Sequence, residues 1–437
     1  MSLNDTIVAL ATPPGQSALA VIRFSGPKCK EIYKLCTSKE VSETKAMRLV
    51  SWKNPINQQL QDSLLAVFFE GPNSFTGQDI IEIFPHGNPL VIKNILTSVT
   101  QLDDVRLAEP GEFTRRAFEL GRIDLVQAES IAQLIHATDQ KSIDNAQRLL
   151  RGELSGTIFK VIEEIKFLAA RMELDVDFVE EEADPQIETW VRDLETLENE
   201  LEKLANSFAL QKHRNQRKLV VLAGSPNAGK SSLINALVKE DRLIVSSMAG
   251  TTRDYIEVPL LLPGGEVHLV DTAGLGEAID DIDAQSQQKT KEILQKAAFV
   301  VELRDGTQKK HQKACENPDL LAYSKADLEG FDKNNEGIFL SAHSGENLNQ
   351  LKMLIDEKVF GTEDSDLWLI TERQEEAINN ALAQILKMKS LLVSDSMAIE
   401  ILAFEMQEAR VMLQEITGEI SSDAILNRLF AGFCIGK

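Results

Sequence analysis

The sequence predicts a multidomain α/β and α chain: a unit with a mostly parallel sheet and helices on both faces, inserted in a helical domain and preceded by a domain of mixed strands and turns. Three observations carry this. Apolar runs at 219–223, 267–270, 299–303, 320–323 and 338–340 alternate with helical stretches, the pattern of a parallel sheet covered by helices. On either side of that stretch apolar residues recur every three or four positions: Leu150, Leu154, Ile158, Val161, Ile165 and Leu168 before it, and Ala398, Leu402, Met406, Ala409, Leu413 and Ile416 after it. Two helical blocks flanking an α/β unit read as one helical domain with an insertion. Before residue 119 the apolar runs are short (6–11, 18–24, 64–69 and 80–84) and are cut by Gly15, Gly26, Pro72 and Gly87. The boundaries that follow are 1–118, 119–214, 215–371 and 372–437.

At 437 residues the chain exceeds one ordinary core, and length alone suggests about three domains. Its 46 basic and 68 acidic residues leave a formal charge of −22, which argues against a broad basic face tracking along a nucleic acid. Any such binding is local or shared with a partner. Cys29, Cys36, Cys315 and Cys434 show no metal-ligand spacing and are too few for a disulfide framework, so a reducing cytoplasm is expected. No apolar run approaches the roughly 18 residues that span a bilayer, and the first dozen residues lack the basic start and apolar core of a signal peptide. A soluble protein with no membrane partner is expected.

Chemistry enters after the run 219–223. Gly224-Ser225-Pro226-Asn227-Ala228-Gly229-Lys230-Ser231 stands between a strand and a helix start, which makes it a P-loop. Its glycines let successive backbone N–H groups, through Asn227, Ala228, Gly229 and Ser232, turn toward phosphate oxygens; Lys230 reaches the terminal phosphates and the Ser231 hydroxyl ligates Mg²⁺. Asp271-Thr272-Ala273-Gly274 follows the next strand, where the carboxylate orients Mg²⁺ through water and the Gly274 N–H meets a γ-phosphate. Between the two elements lies Gly250-Thr251-Thr252, where the Thr252 hydroxyl caps Mg²⁺ and lets go once the γ-phosphate leaves. That is a switch.

The base is chosen by Ser324-Lys325-Ala326-Asp327, which resembles the N-K-x-D element of guanine-nucleotide proteins. Asp327 accepts from both guanine N1–H and the exocyclic amine, a donor pair that adenine lacks. Ser324 stands where asparagine is usual, so one base contact or loop-bridging contact is expected to be shortened or lost. Ser341-Ala342-His343, after the run 338–340, fits the last base-binding loop. The substrate is therefore expected to be GTP.

Residues outside this unit narrow the family. Asp5-Thr6-Ile7, Ala20-Val21-Ile22-Arg23, Ser74-Phe75-Thr76-Gly77, the run from Ala108 to Phe118 and the terminal Phe433-Cys434-Ile435-Gly436-Lys437 closely resemble the MnmE (TrmE) family of tRNA wobble-uridine modification GTPases, from end to end of the chain. The resemblance implies a P-loop GTPase domain inserted in a helical domain, preceded by an α+β folate-binding-like domain that mediates homodimerisation. It also implies a flavin-dependent partner of the MnmG (GidA) type in a heterotetramer or larger complex. Together the two add an aminomethyl or carboxymethylaminomethyl group to C5 of uridine 34 in certain tRNAs. The carbon comes from a tetrahydrofolate derivative, the 5,10-methylene or 5-formyl form.

Carried over by matching motif, the tetrahydrofolate contacts are Arg23, Glu82, Arg122 and Lys437, with Arg122 replacing the lysine common at its position. Chemically a folate offers a pterin edge for a carboxylate and an anionic tail for cations. Each residue taken alone also reads as a surface ion pair. Cys434 matches the family's functional cysteine; without the family it reads first as a small apolar residue in the helical core. Instead of an arginine finger, the resemblance implies K⁺ between the phosphates of dimerised G domains. Its ligands would be Asn227, Ser246, Met248 and Thr251, and Ser247, Ala249 and Gly250 complete the nucleotide-binding loop.

The attacking water would be oriented by Asp283, where the family carries a glutamate, with Asp280 and Glu277 as substitutes nearby. A competing reading, from another class, is a nucleotide-gated interaction switch or assembly factor without modification chemistry of its own. Such a switch has no use for Arg23, Glu82, Cys434 or Lys437. A side chain one methylene shorter misplaces the water, and an error of about 1 Å costs on the order of a hundredfold in rate, so hydrolysis is expected to be slow. Asp283→Ala should lower K⁺-stimulated phosphate release further; unchanged turnover would remove Asp283 from the assignment.

Overall fold

The structure is a computed structural model and describes residues 3–137, 139–177, 187–214, 218–239, 257–271, 293–308, 313–332, 336–361, 368–393 and 399–436. The chain divides into two compact units. One comprises Met1–Ile135, Ala146–Glu202 and Arg373–Lys437; the other comprises His136–Asn145 and Lys203–Glu372.

The first unit opens on a six-stranded sheet ordered Arg48–Lys53, Leu60–Phe69, Ile80–Phe84, Ile22–Ser25, Thr6–Leu10, Val105–Leu107, antiparallel except for the last pair. Side chains alternate across it, as a period of two requires. Val8, Ile22, Phe24, Ile81 and Ile83 face the helices Cys29–Thr37 and Pro89–Val99 in a core that includes Trp52, whose ring centroid lies 5.9 Å from that of Phe24. Burying each such side chain is worth roughly 2 kcal/mol. The opposite face bears Ile7 and Ala9, packed on Phe113 of the helix Glu112–Glu119, and next to them the cross-strand row Ala9, Arg23, Glu82, Val67.

One expected strand changes here and two are added. The run 18–24 splits, because Ser17–Leu19 pairs with His86–Gly87 in a separate ribbon while Ile22–Ser25 joins the main sheet. Both edge strands, Arg48–Lys53 and Val105–Leu107, went unpredicted: the first interleaves polar residues on its open side, and the second is only 3 residues long.

The Glu112–Glu119 helix takes part in a partly buried ion network. Arg106 bonds Asp5 at 2.6 Å and the two oxygens of Glu112 at 2.5 and 2.9 Å. Arg116, 1% exposed, bonds the Asp5 carboxylate at 2.6 Å, Glu112 at 3.0 Å and the side-chain oxygen of Gln78 at 3.0 Å. The network ties the first strand, the strand Val105–Leu107, the helix and the turn before Ile80–Phe84 into one piece.

Helices Glu153–Asp177, Ile399–Thr417 and Asp423–Ala431 follow, together with parts of Ile187–Arg214 and Glu372–Val393. Leu154, Ile158, Val161, Ile165 and Leu168 form the buried stripe expected of them, as do Leu402, Met406, Ala409, Leu413 and Ile416. Leu150 does not belong to the first stripe. It ends the preceding helix, Gln140–Leu150, and Gly152 at φ 78° makes the break. Ala398 lies outside the described residues. A clasp joins the helices: Arg373 grips Glu129 with two bonds of 2.8 and 3.1 Å and donates to the carbonyls of Glu415 and Ile416 at the end of Ile399–Thr417.

The second unit is the expected α/β sheet, ordered Glu257–Leu262, Gly265–Asp271, Lys218–Ala223, Phe299–Asp305, Leu320–Ser324, Ile338–Phe339. All pairs are parallel except the first. The strand Glu257–Leu262 is an addition to the prediction; Pro259 weakens its strand signal, and an edge is where a sheet tolerates proline. Helices Lys230–Lys239 and Leu348–Phe360 cover one face through Leu233, Leu237, Leu351 and Ile355, while Ile293 and Leu294 pack against Val221 and Val270 on the other. Among the described residues no helix is long and apolar enough to cross a membrane.

The ion network gives the first unit an acid limit. Burial pushes the carboxyls of Asp5 and Glu112 upward, but the bonds and charges of Arg106 and Arg116 outweigh it and hold both below the usual carboxylate range. A depressed carboxylate contributes stability that is complete above about pH 5 and is lost as the pH falls through its lowered value. Calorimetry should show the unfolding temperature of this unit falling below that pH. Glu112→Gln, which leaves buried guanidinium charge without its partner, should cost about 3 kcal/mol at neutral pH and flatten the acid slope.

Candidate functional site

The strand Lys218–Ala223 ends in the middle of its sheet and delivers the loop 224–229 to the start of the helix Lys230–Lys239. Gly224 is required by close approach: a Cβ there would lie 2.3 Å from the carbonyl oxygen of Leu303 on the next strand. Asn227 at φ 64° and Gly229 at φ 90° put the backbone in the left-handed region, which turns N–H groups inward to make an anion-binding concavity. Lys230 is 4% exposed and folds back over the loop, its Nζ donating to the carbonyls of Gly224 and Ser225 at 2.8 and 3.0 Å. Burial lowers its pKa, and the negative charge of Asp271 works in the opposite direction. Ser231 Oγ donates to Asp271 Oδ2 at 2.6 Å, so the hydroxyl and the carboxylate of the two motifs converge at the helix start. Two oxygens there suit a hard divalent cation that takes its remaining ligands from phosphate and water, as Mg²⁺ does.

The next two strand ends carry the residues expected to meet the base. Ser324, the last residue of Leu320–Ser324, donates to the carbonyl of Ala228 at 2.7 Å and lies 3.2 Å from that of Arg304. The shorter side chain therefore keeps a bridge to the phosphate loop. Lys325, at φ 64°, pairs with Asp305 at 2.7 Å. Burial raises the Asp305 carboxyl, yet its bonds to Lys325 and Thr307 hold it below the ordinary range. Ala326 N–H donates to the carbonyl of Leu340 at 3.0 Å, which zips the turn 324–327 to the turn 341–344. Buried Ser341 accepts from the N–H groups of His343 and Ser344 and bonds the Asp327 carboxylate, the main reason that this carboxyl lies below its usual range. Asp327 itself is exposed, as are His343 and Asn227, while Ala342 is half-buried.

A second constellation sits in the first unit, on the sheet face opposite the main core. Arg23 Nε bonds Glu82 Oε1 at 2.7 Å across neighbouring strands, its guanidinium lies 5.8 Å from the ring centre of Phe113, and a second nitrogen donates to the carbonyl of Gly436 at 3.0 Å. The C-terminal tail is thus brought to the Arg23–Glu82 pair. Cys434 is exposed rather than packed in the helical core. Arg122 lies against the Gly77 turn, where a Cβ on Gly77 would meet Arg122 Cγ at 3.2 Å.

Two family descriptions match the chain: the GTP-binding protein TrmE N-terminus over residues 6–122, and the MnmE helical domain over residues 125–217 and 253–434. Over 99% of both chains it is 37% identical to a tRNA modification GTPase MnmE of Photobacterium profundum. The chain belongs to the MnmE family of tRNA modification GTPases. MnmE proteins of Nitrosococcus oceani and Legionella pneumophila are 36% and 35% identical to it, covering 100% and 99% of this chain and 98% and 99% of their own. The crystal structure of the G domain of the T. maritima FeoB iron transporter aligns with 33% of the chain and 99% of its own length, at 27% identity and a TM-score of 0.25.

Of the residues that the sequence singles out, those of the loops 227–232, 324–327 and 341–343, with Asp271, gather at the ends of parallel strands. Arg23 and Glu82 meet each other and the tail. Ser246, Ser247, Met248, Ala249, Gly250, Thr251, Thr252, Thr272, Ala273, Gly274, Asp283 and Lys437 lie outside the described residues. Sequence reasoning missed Asp305, although Asp305-Gly306-Thr307 after an apolar strand is a turn signal. It also missed Phe113 and the Gly436 carbonyl, whose roles depend on contacts distant in the chain. The Ser324 bridge is the contact most easily tested: Ser324→Ala leaves the Ala228 carbonyl without it, at about 1.4 kcal/mol, and should raise the Kd for a fluorescent GTP analogue roughly tenfold.

Proposed function

We propose that this chain is a K⁺-dependent, cytoplasmic GTPase that works as a homodimer with a flavin-dependent partner of the MnmG type, in a heterotetramer or larger complex, to modify C5 of the wobble uridine of certain tRNAs. The product carries an aminomethyl or carboxymethylaminomethyl group, and a 5,10-methylene or 5-formyl tetrahydrofolate supplies the carbon. The observation that carries this reading is the convergence of Arg23, Glu82 and the Gly436 carbonyl on one sheet face, in a chain that also holds a complete phosphate loop. An interaction switch alone has no need of such a cluster.

In the GTPase step Lys230 exchanges the carbonyls of Gly224 and Ser225 for phosphate oxygens, and Asp327 reads the two donors of guanine. Ser231 would hold Mg²⁺ directly and Asp271 would orient it through water, and the ion would supply charge neutralisation at the phosphates. Asn227, exposed at the crest of the loop, is free of core packing and suited to face a K⁺ ion at a dimer contact, with Ser246, Met248 and Thr251 as further ligands and Thr252 as the second Mg²⁺ ligand. Asp283 orients the attacking water. Hydrolysis then drives dimerisation of the G domains and a conformational change. Arg23, Glu82, Arg122 and Lys437 bind the folate, and Cys434 serves the modification. With a net charge of −22 the chain offers tRNA little electrostatic attraction, so the flavoprotein supplies much of that affinity.

Mass spectrometry of tRNA from cells lacking the protein should show wobble uridines without the C5 group, and normal modification would overturn the proposal. GTP turnover of the purified full-length chain should fall when K⁺ is replaced by Na⁺.

A further inference from the structure

The C-terminal tail is seated at three points. Gly111, at φ 67°, donates its N–H to the carbonyl of Cys434 at 3.3 Å, and a Cβ on it would lie 2.7 Å from the Phe430 carbonyl oxygen and 2.9 Å from Phe433 Cβ. Arg115, one helical turn further on, bonds the side chain of Asn427 at 2.6 Å. Gly436 is buried at φ 93°, where a Cβ would lie 2.7 Å from both Ala11 Cα and the Leu10 carbonyl oxygen. At two of these points only glycine fits, because the obstructing atoms include backbone and the conformation is left-handed. Cys434 stands between them, backbone held and thiol exposed.

The third seat is shared. The guanidinium that donates to Gly436 is the one that pairs with Glu82, and it is steadied by the Phe113 ring. A planar guanidinium presents its donors in a fixed fork, so a ligand that accepts from Arg23 or donates to Glu82 changes the geometry offered to the tail. We propose that Arg23 makes the ligand site and the tail seat one thermodynamic unit, with Gly111 and Gly436 as positioning residues for Cys434. The inference rests on the reading of the Arg23–Glu82 site as a tetrahydrofolate site. Occupancy strengthens seating of the tail and so fixes where the Cys434 thiol is presented; by linkage, a seated tail strengthens ligand binding by the same factor.

The coupling is tested in the full-length chain with 5-formyltetrahydrofolate as the probe. Hydrogen exchange should slow in the segments around Gly111 and 430–436 when the probe saturates the protein. Gly111→Ala, which alters no ligand-contacting side chain, should speed exchange in the tail and weaken probe binding on the order of tenfold. Arg23→Lys serves as a second variant: a single ammonium cannot reproduce the fork, so any remaining probe binding should no longer slow exchange in the tail. Probe binding to Gly111→Ala with unchanged Kd while its tail exchanges freely would overturn the coupling and leave the folate reading intact. Failure of the unmutated chain to bind the probe would overturn both.

Discussion

Arg116 carries the heaviest structural burden in the first unit. A guanidinium buried to 1% exposure survives only with charged partners, and it has them in Asp5, Glu112 and, through a neutral bond, Gln78. Each partner belongs to a different piece of chain. The helix that bears Arg116 also bears Phe113 and Arg115 and begins after Gly111, so the same anchor sets the platform under Arg23 and the seat of the tail. Gln78, in turn, fixes the turn that leads into the strand of Glu82.

The nucleotide site depends on a different constraint. Parallel strands end on one edge of their sheet, and the described motif residues of the second unit hang from such ends. Separate loops become one pocket through short bonds between them: Ser231 to Asp271, Ser324 to Ala228, and Ala326 to Leu340. The substitution of serine for asparagine is accommodated because the hydroxyl reaches a carbonyl only 2.7 Å away.

Much of this was legible in the chain. The P-loop and the S-K-x-D element are local, each tied to a strand end, and their geometry is dictated by a few residues. Long helical stripes such as Leu154 to Leu168 are legible for the same reason. Edge strands were not: Glu257–Leu262 carries a proline and Val105–Leu107 is too brief to show a period, and both are strands only because a neighbour supplies the other half of the ladder. Leu150 showed the converse failure, since spacing alone could not see that Gly152 ends one helix before the next begins.

By itself the sequence determined that phosphate is gripped, that guanine is read and, through motifs spread from Asp5 to Lys437, which family the chain belongs to. Those properties reside in contiguous residues whose backbone geometry is nearly self-contained. Tertiary structure alone decided that Arg23 serves Glu82 and Gly436 at once. It also decided that Cys434 is held between two glycine seats and that Glu112 and Arg116 can be buried together beside half-buried Asp5 and Arg106. These arrangements depend on contacts between distant residues, 59 positions apart for Arg23 and Glu82, 111 for Asp5 and Arg116, and 413 for Arg23 and Gly436. No local pattern encodes them, because their stability comes from partners that meet only when the sheet and its covering helix are complete.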